Sequence, residues 1–138
     1  MLDYKVHADA GSMSNTPPAY GWYMAGLVFQ WLKEQGGLTA IEAVNRRKYE
    51  KLYGFIDAND FYGNPVELQS RSSMNVPFTL ADSALDKAFL QQSEQAGLLN
   101  LKGHRSVGGM RASIYNAVSE AAVDALIAFM DDFAKANG

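Results

Sequence analysis

The stretch Lys102-Gly103-His104-Arg105-Ser106-Val107-Gly108-Gly109-Met110-Arg111-Ala112-Ser113-Ile114-Tyr115-Asn116 is the most informative part of this sequence. It places two arginines and a histidine within eight residues, around a Gly-Gly pair. The run 110–115 has the composition of a buried strand, so Arg111 is expected on a rigid element. Arginine binds a carboxylate or phosphate through two parallel hydrogen bonds, and glycines let a backbone approach a ligand closely. The stretch therefore predicts an anion-binding loop and strand; a solvated basic loop is the alternative that the spacing alone leaves open.

Composition predicts an ordinary globular domain. The 138 residues are 48% hydrophobic and 20% charged, which is unlike a disordered segment. A net charge of −3 argues against a nucleic-acid partner, so any anion site must be local. With no cysteine and two histidines far apart, neither a disulfide nor a metal site is predicted. No apolar run is long enough to cross a membrane, and the cytoplasm is the predicted compartment.

The order of elements follows from apolar spacing and from turn residues. After irregular residues 1–14, the pattern predicts helices over 17–35, 39–57, 83–96 and 119–137, and strands near 61–62, 73–79, 98–101 and 109–115. Pro77 argues for an edge strand or a strand end. This order is typical of an α/β chain (an α+β small domain) with a short mixed or antiparallel sheet and helices on one face.

Two helices carry features that need an explanation. The first has a stripe containing Tyr20, Tyr23 and Trp31, which predicts docking on a missing domain or a second subunit. The second carries a basic group that is interpreted as a solvated face, with a partner or anion contact as the alternative: Arg46, Arg47, Lys48 and Lys51.

Three further segments support a family resemblance: Ser14-Asn15-Thr16-Pro17-Pro18, Ser73-Met74-Asn75-Val76-Pro77-Phe78 and Ala81-Asp82-Ser83-Ala84-Leu85-Asp86. Together with the first stretch, and in the same order and spacing, they resemble the phosphoserine aminotransferase family, from about Leu2 to the C-terminus. The family consists of class V, fold type I enzymes that use pyridoxal 5'-phosphate. The resemblance implies that residues 1–37 are the end of the large domain with a long connecting helix, and that 38–138 are the small C-terminal substrate-binding domain.

The resemblance also implies roles for individual residues. Arg111 matches the arginine that binds the substrate α-carboxylate, while His104 and Arg105 match the pair at the phosphate end. Asn15 and Thr16 match the residues that contact the cofactor phosphate of the other subunit. None of the seven lysines matches the family's Schiff-base lysine, so the chain is expected to be a C-terminal fragment without a catalytic residue, inactive by itself and unable to bind the cofactor alone.

The function that the resemblance implies belongs to the full-length homodimer. This homodimer transaminates 3-phosphohydroxypyruvate with glutamate, which gives phosphoserine and 2-oxoglutarate in serine biosynthesis. Family members often act in pyridoxine biosynthesis as well. Three alternatives stay open: a stand-alone phosphometabolite-binding module, an interaction fragment that associates through its first helix, and a domain of a sister class V enzyme such as another aminotransferase or a desulfurase. The His-Arg pair before Gly-Gly-Met-Arg favours a phosphate-bearing substrate, and this argues against the sister class V enzyme.

Overall fold

The computed structural model describes residues 2–138, which contain five α-helices and three β-strands. The helices are α1 (Tyr4–Asp9), α2 (Ala19–Glu34), α3 (Gly37–Asp57), α4 (Asp86–Gln95) and α5 (Glu120–Asn137). The strands are β1 (Tyr62–Gly63), β2 (Asn75–Leu80) and β3 (Met110–Ser113), and short 3-10 turns span Leu68–Ser70 and Ser83–Leu85. The chain divides into two compact units, the first ending at Leu38 and the second running from Thr39 to Gly138.

The sheet of the second unit is antiparallel, with strand order β1-β2-β3. Alternate residues of β2 are buried, namely Val76, Phe78 and Leu80; the first two pair with Ala112 and Met110 of β3, which are also buried. Because side chains alternate across a strand, this pattern gives the sheet one buried face and one more exposed face. The predicted antiparallel sheet in an α/β chain is confirmed.

The buried face is covered by helices through a cluster of aromatic rings. The ring of Phe89 in α4 lies 5.8 Å from that of Phe78 and 5.0 Å from that of Phe133 in α5. Tyr62 packs 5.8 Å from Phe55 of α3, and its hydroxyl donates to the Met130 carbonyl of α5 at 2.7 Å. Helices α3, α4 and α5 therefore share one core with the sheet, as the element order predicted.

Helix ends in the second unit follow capping chemistry. The Ser119 hydroxyl accepts from the backbone N–H of Ala122, so α5 begins where the sequence predicted. The Asp82 carboxylate accepts from the N–H of Ala84 and caps the 3-10 turn that leads into α4. The helix α4 then ends before Gly97, whose φ of 81° is of the kind that glycine adopts readily.

Three helix predictions need correction. A short helix, α1, occupies part of the segment expected to be irregular; Asp3 caps it, and it buries no residue, so it leaves no apolar period to detect. The helix α2 begins at Ala19 rather than near Pro17, because a residue that precedes a proline is driven away from helical backbone angles, and both Thr16 and Pro17 precede one. The helix α3 begins at Gly37, so Thr39 lies inside it and is not a cap.

Pro77 lies in the middle of the central strand β2, opposite Arg111, and the prediction of an edge position or strand end was wrong. The reason is that β1 is only two residues long and pairs with Leu80 and Thr79. The missing N–H of Pro77 therefore falls beyond the end of β1, and its carbonyl accepts from Asn64 Nδ2 at 2.7 Å.

The predicted strand 98–101 does not form. Within residues 2–138, a single bridge, between Lys102 and Met110, continues the sheet beyond β3. Asn100 has a φ of 62°, in the left-handed region, and this interrupts the extended backbone that a strand over 98–101 would need. The segment 98–101 was a weak signal, because three leucines within four residues also fit a loop that lies on a core.

Three of the four basic residues of α3 are solvated, as predicted, and the fourth is buried. Arg46 pairs with Glu42, Arg47 with Glu120, and Lys51 with Asp124, all at exposed positions. Lys48 is fully buried, and for this residue the solvated interpretation was wrong. Lys48, Leu52 and Ile56 are spaced four residues apart, so Lys48 lies on the buried stripe of the helix. This spacing indicated burial, whereas the residue type suggested a solvated position.

The first unit contains a strongly apolar helix without a core of its own. No residue of α2 is buried, and its exposed large side chains are Tyr20, Trp22, Tyr23, Met24, Leu27, Val28 and Phe29. Exposed apolar surface of this extent on one helix is typical of a surface that binds something else.

Candidate anion-binding hairpin

The three residues that the resemblance assigns to the substrate lie on one hairpin. The Gly103 N–H donates to the Gly109 carbonyl at 2.9 Å, and the Arg111 N–H donates to the Leu101 carbonyl at 2.7 Å. These two bonds close a loop over 104–108, whose turn is stabilised by the N–H groups of Val107 and Gly108 donating to the His104 carbonyl. The structure therefore brings His104 and Arg105, at the tip, and Arg111, at the base, onto one hydrogen-bonded hairpin.

Glycines allow the hairpin to be this tight. A Cβ on Gly103 would lie 2.2 Å from the Gly108 carbonyl oxygen and 2.7 Å from that of Gly109. Gly109 has a φ of 57°, and a Cβ there would lie 2.7 Å from the carbonyl oxygen of Phe78 in β2. The close backbone approach predicted for the Gly-Gly pair is made to β2, and Gly103, which the sequence analysis had not singled out, is equally constrained.

Replacing Gly103 with alanine is expected to open the hairpin. The added methyl group would clash with two backbone oxygens, which cannot move away as a flexible side chain can, so we expect a loss of about 1–3 kcal/mol in the free energy of unfolding. Amide chemical shifts should change over residues 101–111. Gly54→Ala is the matched control, because Gly54 lies within α3 with nothing within 4 Å of an added Cβ; it should be neutral or stabilising. Equal effects of the two substitutions would contradict this account of the hairpin.

The two arginines of the hairpin differ from the other arginines of the chain because they have no carboxylate partner within the described residues. Three of the chain's arginines bind carboxylates: Arg46 to Glu42, Arg47 to Glu120 and Arg71 to Asp57. Over residues 2–138 the other two, Arg105 and Arg111, make no ion pair and are exposed. Two unpaired guanidiniums on one hairpin leave donors and positive charge available for an anion.

Arg111 is held on β3, with its side chain on the face opposite the core, because Met110 and Ala112 on either side of it are buried. It also borders a cleft of about 380 Å³ between segment 97–101, β3 and the first turns of α5. A strand gives the planar guanidinium a fixed base, which suits two-point binding of a carboxylate.

His104 is oriented by Ser106, a residue to which the sequence analysis gave no role. The Ser106 hydroxyl lies 2.6 Å from His104 Nδ1, and the Ser106 N–H donates to the same nitrogen at 3.3 Å. An Nδ1 that accepts leaves the proton on Nε2, which then serves as a donor to an anion. Because a serine two residues after a histidine is common in loops, no sequence signal could have identified this contact.

A larger cleft, of about 440 Å³, lies elsewhere in the second unit, between α3 and the segment 68–73. It contains Arg71, but both guanidinium NH groups of this arginine bind Asp57, and its Cζ lies 4.7 Å from the centre of the Tyr53 ring. The hydrogen bond from Arg71 holds the pKa of Asp57 below its usual value. Because this arginine is already neutralised, the cleft is a poorer anion site than the hairpin.

Asn15 and Thr16 lie just before α2 in the first unit and are exposed. The residue that precedes α2 is Pro18, and no side chain caps the helix. The Asn15 amide and the Thr16 hydroxyl make no hydrogen bond within the described part of the chain, so both are available as donors beside a helix N-terminus. This chemistry fits a phosphate group, and the two residues are suited to hold the phosphate of a cofactor.

Comparison with known proteins identifies the family. The family model described as aminotransferase class-V matches residues 1–126. This chain belongs to the class-V aminotransferase family. It is 64% identical over 137 residues to the phosphoserine aminotransferase of Hahella chejuensis, an alignment that covers 99% of the chain and 38% of the relative.

Solved structures agree with the fold of this class-V aminotransferase chain. It matches the phosphoserine aminotransferase from Bacillus circulans subsp. alkalophilus with a TM-score of 0.89 and 46% identity, covering 98% of this chain and 38% of that one. The match to PLP-bound phosphoserine aminotransferase from Trichomonas vaginalis has a TM-score of 0.83 and 42% identity, covering 94% and 37%. The resemblance drawn from the four segments is confirmed, and the chain spans about 38% of the length of these relatives.

Two further observations concern metals and membranes. Within residues 2–138, no three His, Cys, Asp or Glu side chains cluster in a way that could hold a metal ion. Over the same residues, every helix is too short or too polar to cross a membrane.

Proposed function

We propose that this chain is the substrate-binding part of a phosphoserine aminotransferase. In the full-length enzyme it would help to convert 3-phosphohydroxypyruvate and glutamate into phosphoserine and 2-oxoglutarate, in serine biosynthesis. The observation that supports this most directly is that Arg105 and Arg111, the arginines without a carboxylate partner in residues 2–138, lie on one hairpin. The relatives that share 64% identity with the chain carry that enzyme name.

The hairpin would supply two sites for one substrate that carries two anionic groups. Arg111 would bind the α-carboxylate through two parallel hydrogen bonds from its guanidinium. His104, through Nε2, and Arg105 would bind the phosphate, whose charge of up to −2 is complemented better by two donors than by one. Because both sites are on the same hairpin, a substrate with a carboxylate and a phosphate at its two ends would be oriented as well as bound.

The cofactor proposed for the full-length enzyme is pyridoxal 5'-phosphate. When bound, it withdraws electrons from the substrate's α-carbon and so makes its proton acidic. The residues of this chain suited to contact it are Asn15 and Thr16, which would donate an amide N–H and a hydroxyl to its phosphate, from the partner subunit of a homodimer. The lysine that bonds to the cofactor is proposed to lie outside these 138 residues, so the chain alone would be inactive.

The domain assignment is part of the same proposal. Residues 1–37 would be the end of the large domain with its connecting helix, and 38–138 the small domain. The exposed apolar side chains of α2, such as Trp22 and Phe29, would then be covered by the rest of the full-length protein or by its partner subunit. We also infer a cytoplasmic enzyme, since a chain without cysteine suits a reducing compartment.

Activity of the full-length protein tests the proposal. With pyridoxal phosphate, phosphoserine and 2-oxoglutarate, it should form glutamate, and the 138-residue chain under the same conditions should not. Glutamate formation by the short chain would show that the lysine was wrongly placed outside it. If the full-length protein turned over other amino acids but not phosphoserine, a sister class V enzyme would be the better interpretation.

A further inference from the structure

The helix α3 contacts the segment that follows β3 through two buried polar residues. Lys48 is fully buried, and its Nζ donates to three backbone carbonyls: Ile114 at 3.1 Å, Tyr115 at 2.9 Å and Val118 at 2.9 Å. These bonds use all three hydrogens of the ammonium group. Near it on the same helix, the Asn45 Nδ2 donates to Asn116 Oδ1 at 2.8 Å.

A buried lysine needs a reason, because removing an ammonium group from water is costly. No carboxylate bonds to Lys48, although the charge of Glu120 partly opposes the lowering of its pKa by burial. A methionine of similar length would fill the same space without burying a charge. What it could not do is donate to three carbonyls that lie at the end of a strand and in the turn after it. The role of Lys48 therefore concerns the position of that backbone.

The backbone so held is the one that carries Arg111. At its N-terminal end, β3 is fixed where Gly109 lies against the Phe78 carbonyl. At its C-terminal end, the Ile114 N–H donates to the Met74 carbonyl, and the Ile114 carbonyl accepts from Lys48. Arg111 lies between these two fixed points, three residues before the first carbonyl that Lys48 binds.

We propose that Lys48, assisted by Asn45, is a positioning residue for Arg111. It fixes the position of the end of β3 and of the turn that follows. The guanidinium of Arg111 would then face the substrate carboxylate in one orientation. This inference rests on the function proposed for Arg111. Positioning matters here because a bidentate pair requires both N–H groups to point at the carboxylate, and small displacements lower rates strongly.

A double-mutant cycle in the full-length enzyme tests this. Lys48→Met should lower kcat/KM for phosphoserine by about 10-fold or more, by displacing Arg111. In a protein that already carries Arg111→Lys, the same Lys48→Met substitution should change kcat/KM by less than about twofold. The reason is that the two-point contact of Arg111, which Lys48 positions, is already lost. Lys51→Met is the matched control: Lys51 lies one turn from Lys48 on α3 but is exposed and pairs with Asp124. It should leave kcat/KM unchanged.

The outcomes separate this inference from the proposed function. If Arg111→Lys alone has no effect, the site itself is wrong. If Arg111→Lys has its effect but Lys48→Met lowers kcat/KM equally in both backgrounds, Lys48 acts only on the fold and the inference is overturned. Asn116→Ala removes the acceptor of Asn45 without leaving the three carbonyls unbonded, and serves if Lys48→Met does not fold. It should lower kcat/KM by about 2- to 5-fold, again only where Arg111 is intact.

Discussion

Arg111→Lys in the full-length enzyme is expected to lower kcat/KM for phosphoserine by about 10- to 150-fold, equivalent to about 1.5–3 kcal/mol. Lysine keeps the positive charge but replaces a planar fork with a single ammonium group, so one of two parallel hydrogen bonds to the carboxylate is lost. No other interaction of this side chain should offset the lost hydrogen bond, because Arg111 is exposed and makes no ion pair within residues 2–138. Steady-state kinetics with phosphoserine and 2-oxoglutarate measure the effect.

Arg46→Lys is the control for this substitution. Arg46 is also exposed, but it pairs with Glu42 one turn earlier in α3, away from the hairpin. It should leave kcat/KM within about twofold of the original value, since an exposed helical ion pair contributes little. If Arg111→Lys behaved like Arg46→Lys, Arg111 would not be the residue that binds the carboxylate.

Phe89→Ala is expected to cost about 3–5 kcal/mol in the free energy of unfolding. Phe89 is fully buried and its ring contacts those of Tyr62, Phe78, Phe129 and Phe133, with centroids 5.0–6.3 Å away. Removing the ring leaves a cavity where α4, α5 and the sheet meet, and these elements cannot all move inward to fill it. Urea unfolding of the 138-residue chain, followed by circular dichroism, measures the loss.

Leu99→Ala provides the comparison, because Leu99 is also a large apolar residue of the second unit but is 65% exposed. Its substitution should change the free energy of unfolding by less than about 0.5 kcal/mol. A cost below about 1 kcal/mol for Phe89→Ala would mean that the aromatic cluster is not the centre of the core.

The parts of the fold that the sequence predicted are those in which local chemistry and burial agree. For α5, Ser119 caps the helix and Val123, Leu126, Met130 and Phe133 form its buried stripe, and the helix predicted over 119–137 forms. Strand β3 was predicted from the composition of residues 110–115, and in the structure its buried residues alternate with more exposed ones. These elements carry their own signals.

The errors lie where a distant contact decides the outcome. Lys48 has the residue type of a solvated face, and only the three carbonyls of the segment 114–118 explain its burial. Pro77 is tolerated in a central strand because β1 happens to be short. Asn100 adopts a left-handed conformation that the apolar run around it does not indicate.

The candidate site was predictable in its residues but not in its geometry. The spacing of His104, Arg105 and Arg111 indicated an anion site, and the structure adds that they share one hairpin. The contact of Ser106 with His104 and the tight packing at Gly103 depend on the loop's backbone path, which composition does not encode. The roles of Asn15 and Thr16 in binding a cofactor phosphate stay a prediction.

We propose that the two arginines of the hairpin bind different groups of the substrate, Arg111 the carboxylate and Arg105 the phosphate. The most direct measurement compares kcat/KM for phosphoserine and for L-serine, which lacks the phosphate, in the full-length enzyme with Arg105→Gln or Arg111→Lys. The account predicts that Arg105→Gln lowers kcat/KM for phosphoserine by about 10-fold or more and leaves that for L-serine unchanged, whereas Arg111→Lys lowers both. A loss of the same size for both substrates with Arg105→Gln, or no loss with either, would contradict it.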